Sequence, residues 1–183
     1  MSERRPWYRE PESFIALAAL IVSVSAVAVG IYEAALQRAH DRAELWPHVE
    51  ISTFTTPQGA ALYLENTGLG PAIIQSVTVS VDGKPRKSWN DVLGTLYSGS
   101  LPPFSVTTVD DHALRAGDKV QMIGLASKDL PAHFWDWIGR VSVKVCYESA
   151  FHEHWTVSDD RLGGSSTWAT LRDCPPRPAD TAF

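Results

Sequence analysis

The sequence lacks most of the signals that assign a reaction to a chain. It contains no H-E-x-x-H pattern, and none of its serines stands in the G-x-S-x-G pattern of a nucleophile elbow. The glycines at Gly68 and Gly70 precede β-rich sequence, whereas a phosphate-binding loop would lead into a helix. The carboxylates late in the chain are not spaced as a general acid and base. We therefore expect a protein that is not an enzyme, with no catalytic residues and no cofactor.

Positive charge is scarce as well. Sixteen Lys and Arg residues stand against 21 Asp and Glu, which gives a formal net charge of −5. The one dense basic cluster is Lys84, Arg86 and Lys87, directly after a turn signal. A nucleic-acid partner would require a larger basic face, so this class of partner is excluded.

Charge is absent altogether from residues 14–32, which read FIALAALIVSVSAVAVGIY. A helix of this length spans about 28 Å at 1.5 Å per residue, close to the thickness of the hydrocarbon core of a bilayer. We predict a transmembrane helix over residues 14–32, preceded by a polar tail over residues 1–13.

The flanking charges favour one orientation of this span. Three arginines lie within residues 1–13, whereas Arg38 and Arg42 lie farther from the apolar segment on the other side. Because Lys and Arg are retained on the cytoplasmic side, we expect a cytoplasmic amino terminus. The alternative is a cleaved signal peptide, since residues 26–28 read A-V-A.

Small residues recur along the span at steps of three and four, which places them on one face of a helix. Such a face allows close helix–helix packing in a bilayer, either with a second copy or with another membrane protein. The members of this row are Ala19, Ser23, Ala26, Gly30 and Ala34.

The sequence after the span predicts a helical stalk rather than a flexible linker. Residues 33–45 read EAALQRAHDRAEL, which are strong helix formers without Gly or Pro. The residue before a proline is disfavoured in a helix, so the stalk, residues 33–46, should end before Pro47.

From Pro47 the period of the apolar residues changes from helical to two, which is typical of strands. Val77, Val79 and Val81 are expected to face inward, and Asp82-Gly83 to form a hairpin turn. A short helix is predicted from Ser88 as its cap. Strands are predicted over residues 48–54, 61–66, 73–81, 101–108, 119–126, 141–147, 152–157 and 167–171. We therefore predict a mainly β fold, a β-sandwich over residues 47–174, and a disordered tail over residues 175–183.

Two stretches carry a resemblance to known proteins. The segment LYLENTGLGPAIIQSVTVSVDGK (residues 62–84) is similar to the N-x-G-x-G-P-A strand–turn–strand of bacterial immunoglobulin-like adhesion modules. Trp46-Pro47 after the helix and CYESAFHEHW (residues 146–155) resemble a family of uncharacterised single-span bacterial membrane proteins. The resemblance implies an immunoglobulin-like β-sandwich and no activity.

Cys146 and Cys174 are the only cysteines. If the domain lies outside the cytoplasm, they can form a disulfide that holds the end of the chain to a strand, and the alternative is a pair of free thiols. Closing a loop of this length would stabilise the fold by roughly 3 kcal/mol in the chain-entropy model.

His152 and His154 stand two residues apart on a predicted strand, so both rings should project from one face. They are weak candidates for metal ligands, because no third ligand follows from the spacing. Asp136 lies between Trp135 and Trp137, which is compatible with a glycan-binding groove, and the alternative is that the tryptophans pack in the core.

Together these observations predict a bacterial inner-membrane protein with one span, a cytoplasmic amino terminus and a periplasmic β-sandwich. Its expected partners are the lipid bilayer and a membrane protein or a second copy of itself. The expected role is an accessory or assembly subunit. The alternative is a periplasmic metal- or ligand-binding module that uses the strand face of His152 and His154.

Overall fold

A computed structural model describes residues 11–97, 99–131, 133–177 and 180–183 of the chain. Most of the predicted amino-terminal tail therefore lies outside the described residues. The chain divides into two compact units, Met1–Ala43 and Glu44–Phe183.

The first unit is built on one helix, α1 (Pro11–Glu44). Its most apolar window has a mean hydropathy of 2.7 with no residue of that window buried, so this helix is long and apolar enough to cross a membrane. The helix continues past residue 32 and ends before Pro47, as the sequence predicted.

The second unit is a β-sandwich-like domain made of two antiparallel sheets. The four-stranded sheet has the order β1 (Val49–Thr56), β2 (Gly59–Asn66), β7 (Lys119–Ala126), β5 (Phe104–Val106). The six-stranded sheet has the order β10 (Thr167–Leu171), β9 (His154–Asp159), β8 (Val141–Glu148), β3 (Ala72–Val81), β4 (Lys84–Pro85), with β6 (Ala113–Leu114) also paired to β3.

Alternating apolar residues fill the space between the sheets. Val77, Val79 and Val81 are fully buried, which confirms the inward face predicted for this strand. They meet Leu62 and Leu64 of the opposite sheet in one apolar core. Two short helices, α2 (Trp89–Leu96) and α3 (Phe134–Ile138), add Trp89 and Ile138 to the same core. Ser88 caps α2 by accepting a hydrogen bond from the Asp91 amide.

Some predicted strands differ in extent. The strand expected over residues 101–108 is reduced to Phe104–Val106, because Pro102 and Pro103 have no amide hydrogen to donate to a ladder. The strand expected from His152 begins only at His154. The two-residue strands β4 and β6 were not predicted, since so short a pairing leaves no periodic pattern.

Asn66 joins the two sheets at the point where the chain leaves β2 for β3. Its side chain is fully buried, and its Nδ2 donates to the carbonyls of Gly70 (2.8 Å) and Leu114 (3.0 Å). Its Oδ1 accepts from the amides of His48 (3.2 Å) and Gly68 (3.1 Å). Every hydrogen-bonding group of the amide therefore has a partner.

The predicted disordered tail instead returns to the domain in its described part. Phe183 is 1% exposed and packs edge-on against Trp89, with ring centroids 5.4 Å apart. Its backbone oxygen accepts from the amide of Val109 (2.8 Å), and its amide donates to the carboxylate of Asp110 (3.4 Å). The proline-rich composition that suggested disorder ends before this anchor, and a single aromatic residue produces no periodic signal. Residues 178 and 179 lie outside the described residues.

We expect Asn66→Ala to lower the free energy of unfolding by about 3 kcal/mol, because it removes the hydrogen bonds to two buried carbonyls and to two partly buried amides. Urea unfolding of the full chain in detergent micelles, followed by circular dichroism, measures this change. Asn90→Ala, at an exposed position of α2, is the matched control and should change stability little. Equal effects of the two variants would contradict the bridging role of Asn66.

Phe183→Ala should lower the free energy of unfolding by about 3–5 kcal/mol, as for other buried phenylalanines. The same unfolding experiment measures it, with Phe54→Ala as the control because the Phe54 ring is half exposed. An effect no larger than that of the control would show that the tail does not contribute to the core.

Candidate functional site

The predicted small-residue row lies within α1. Ala19, Ser23, Ala26, Gly30 and Ala34 are all exposed, and a Cβ placed on Gly30 would meet no atom within 4 Å. The row is therefore exposed along the apolar helix, and no described residue covers it.

The structure joins Cys146 and Cys174 by a disulfide, with their Cα atoms 5.7 Å apart. Cys146 lies on the buried strand β8, and Cys174 follows the edge strand β10. The bond thus holds the segment after β10 to the centre of the six-stranded sheet. A disulfide is consistent with a domain outside the cytoplasm.

His152 and His154 do not lie on one strand as predicted. His152 lies in the turn before β9 with a positive φ of 59° and a side chain 81% exposed, whereas the His154 side chain is mostly buried. Both rings nevertheless approach one oxygen of Glu148, at 3.5 Å and 3.1 Å. Among the described residues, no group of three or more His, Cys, Asp or Glu side chains is placed to hold a metal ion.

The two tryptophans around Asp136 do not form one groove. Trp137 packs against Tyr97 with ring centroids 4.4 Å apart, next to the core, whereas Trp135 is 64% exposed. Asp136 is exposed and lies 3.5 Å from His133. The short helix α3 turns the two rings to different sides, so the glycan groove suggested by this stretch does not form.

The buried carboxylates of the domain hold backbone turns. Asp110 accepts from the amides of Val77 (3.2 Å) and Phe183 (3.4 Å), and burial raises its pKa. Asp159 accepts from the amide of Arg161 (3.1 Å), and burial raises its pKa also. Neither arrangement pairs an acid with a base at hydrogen-bond distance.

A groove that the sequence did not predict crosses the outer face of the four-stranded sheet. The residues at its centre are small, Ala61 on β2 and Gly124 on β7, and these two are register partners. Because the neighbouring side chains are larger, a depression of about 550 Å³ forms above them. Phe54 on β1, which pairs with Ala61, forms one wall, and Ser105 on β5, which pairs with Gly124, lies on the other side.

Polar side chains on the floor of this groove are joined by hydrogen bonds. The Tyr63 hydroxyl donates to the Gln121 side-chain oxygen (3.3 Å), and the Gln121 amide nitrogen donates to the Ser105 hydroxyl (2.8 Å). Gln121 lies over Gly124, where a Cβ would come within 2.6 Å of its Nε2. The absence of a side chain at Gly124 therefore makes room for Gln121.

The far end of the groove contains a carboxylate with one unpaired oxygen. Asp129 lines the groove, and its Oδ2 is inaccessible to solvent and accepts no hydrogen bond from any described residue. The backbone oxygen of Asp129 accepts from the Tyr97 hydroxyl at 2.7 Å, which fixes the residue in place. An unpaired buried oxygen is costly, so a rotation of the carboxylate that brings this oxygen to a ligand donor in the groove would be favourable.

Sequence reasoning missed this groove because no local pattern marks it. Tyr63 and Gln121 are 58 residues apart and meet only through the pairing of β2 with β7. A strand is predicted over residues 61–66, but the sequence pattern does not indicate what the outward face of this strand holds.

The comparisons with known proteins add no further assignment. No family model, no curated protein and no solved structure matches this chain.

Proposed function

We propose that this chain is a membrane-anchored, non-catalytic interaction module, an accessory or assembly subunit of a membrane complex. In this proposal α1 is an uncleaved anchor that crosses a bacterial inner membrane once, and the β-sandwich lies in the periplasm with an immunoglobulin-like fold. The partner is a second copy of the chain or another membrane protein.

One observation carries the proposal. Helix α1 continues without a break from Pro11 to Glu44, and its apolar residues are exposed on every side of it. Such a surface is stable only in lipid or against other apolar helices. The exposed row from Ala19 to Ala34 allows another backbone to approach closely, and this supports packing of a second helix.

The disulfide supports the periplasmic placement. Bonds of this type form and persist in oxidising compartments and are rare in the cytoplasm. The arginines before the span favour the same orientation. No specific observation favours the alternative of a metal-binding module, because among the described residues no group of three or more His, Cys, Asp or Glu side chains is placed to hold a metal ion.

Helix packing through the small-residue row can be tested by making the same Ala→Leu change once within the row and once on the opposite face of α1. Ala26→Leu enlarges a member of the row, whereas Ala28→Leu makes the same change on the opposite face. We expect Ala26→Leu to weaken helix association at least about tenfold and Ala28→Leu to leave it unchanged, because bulk prevents close backbone approach only within the contact. Energy transfer between labelled chains in vesicles, and recovery of a cross-linked membrane partner from cells, measure the two possible contacts.

Equal behaviour of the two variants would contradict the helix-packing role. A wild-type chain that stays monomeric in vesicles and cross-links to no membrane protein in cells would contradict the proposal as a whole.

A further inference from the structure

The groove on the outer face of the four-stranded sheet has the chemistry of a ligand site that is independent of the role proposed for α1. We propose that it binds a short neutral saccharide, with Phe54 and Tyr63 against the apolar face of a sugar ring and Gln121 and Asp129 bound to its hydroxyl groups. Its volume of about 550 Å³ lies within the usual range of small-ligand sites, about 300–1,000 Å³.

The aromatic wall supplies the apolar contact that such a ligand needs. Phe54 is 46% exposed and meets Tyr63 edge to face, with ring centroids 5.6 Å apart. The Lys119 ammonium lies 2.9 Å from the Glu65 carboxylate and covers one face of the Phe54 ring, 3.9 Å from its centroid, so a sugar ring would pack against the exposed remainder of this wall. Sugar rings present C–H groups on one face and hydroxyls at the rim, so a wall of this type beside polar groups suits them.

The floor keeps unused hydrogen-bonding capacity. Gln121 uses one of its two amide hydrogens on Ser105 and one oxygen lone pair on Tyr63. A second amide hydrogen and a second lone pair of Gln121 remain, as do lone pairs on the Tyr63 hydroxyl. A ligand with closely spaced donors and acceptors, such as neighbouring hydroxyls, matches this set.

Asp129 extends the polar surface to the end of the groove. Its Oδ2 accepts no bond from the described residues and is inaccessible to solvent as the side chain stands, so a rotation of the carboxylate that brings this oxygen to a ligand hydroxyl would satisfy it. Lys128 lines the same end, so one negative and one positive side chain offset each other. Since Lys119 is likewise paired with Glu65, the charges of the groove favour a neutral ligand over an anionic or cationic one.

Binding to a panel of neutral oligosaccharides tests the proposal, with short oligomers of glucose, mannose and N-acetylglucosamine as the probes. The full chain is reconstituted in lipid nanodiscs, because maltoside and glucoside detergents carry sugar headgroups that would compete. We expect saturable binding of at least one probe with a Kd of about 1 mM or tighter, a typical weak-site affinity of about 4 kcal/mol.

Three variants and one control locate the binding. Phe54→Ala removes the platform, Asp129→Asn replaces a carboxylate oxygen by an amide, and Gly124→Ala displaces Gln121 from the floor. Each should weaken binding at least tenfold while circular dichroism shows a folded domain. Trp135→Ala removes an exposed aromatic ring outside the groove and should bind like the wild type.

Failure to bind any probe saturably at millimolar concentration would overturn the proposal. Binding that persists in both Phe54→Ala and Gly124→Ala would overturn it also, because the sugar would then lie elsewhere. Saturable capture of an extended peptide in the groove, without any saccharide binding, would assign the site to a different ligand. None of these outcomes bears on helix association, which the Ala26 and Ala28 variants test separately.

Discussion

The domain depends on the buried amide of Asn66. It lies where the chain passes from the four-stranded to the six-stranded sheet, and its four hydrogen bonds join the start of β1, the turn after β2 and the strand β6. Gly68 and Gly70 lie against the backbone of residues 45–48, where any side chain would collide with it. The amide and the two glycines therefore fix the two sheets at one end and tie the first residues of the domain to the same point.

Two further connections complete the frame. The disulfide holds the segment after β10 to β8, and Phe183 inserts between Val109, Asp110 and Trp89. Both connections belong to the six-stranded side. The outer face of the four-stranded sheet carries none of them in the described part of the chain, and it is there that small central residues leave a groove with polar groups on its floor. A rigid sheet is a good support for such groups, because paired strands fix their spacing.

The sequence predicts those features that depend on local repetition. The apolar helix, its continuation to residue 44, the inward valines of β3 and the cap at Ser88 all leave a periodic or positional signal. The strand–turn–strand motif around Asn66 is also visible in the sequence, although its resemblance to adhesion modules stays a prediction. The return of Phe183, the approach of both histidines to Glu148 and the joining of Tyr63 to Gln121 depend on pairings between distant segments. Long-range contacts of this kind leave no mark in a single sequence.

The compartment of the domain decides most of the proposed role, and the thiol state of the two cysteines in intact cells reports it most directly. Cells are lysed in denaturant with a polymer-tagged maleimide, and the membrane fraction is analysed with and without prior reduction. The account predicts a membrane-bound chain, not shortened at Ala28, that takes up no tag before reduction and two tags after it. Two tags without reduction would place the domain in a reducing compartment and contradict the account.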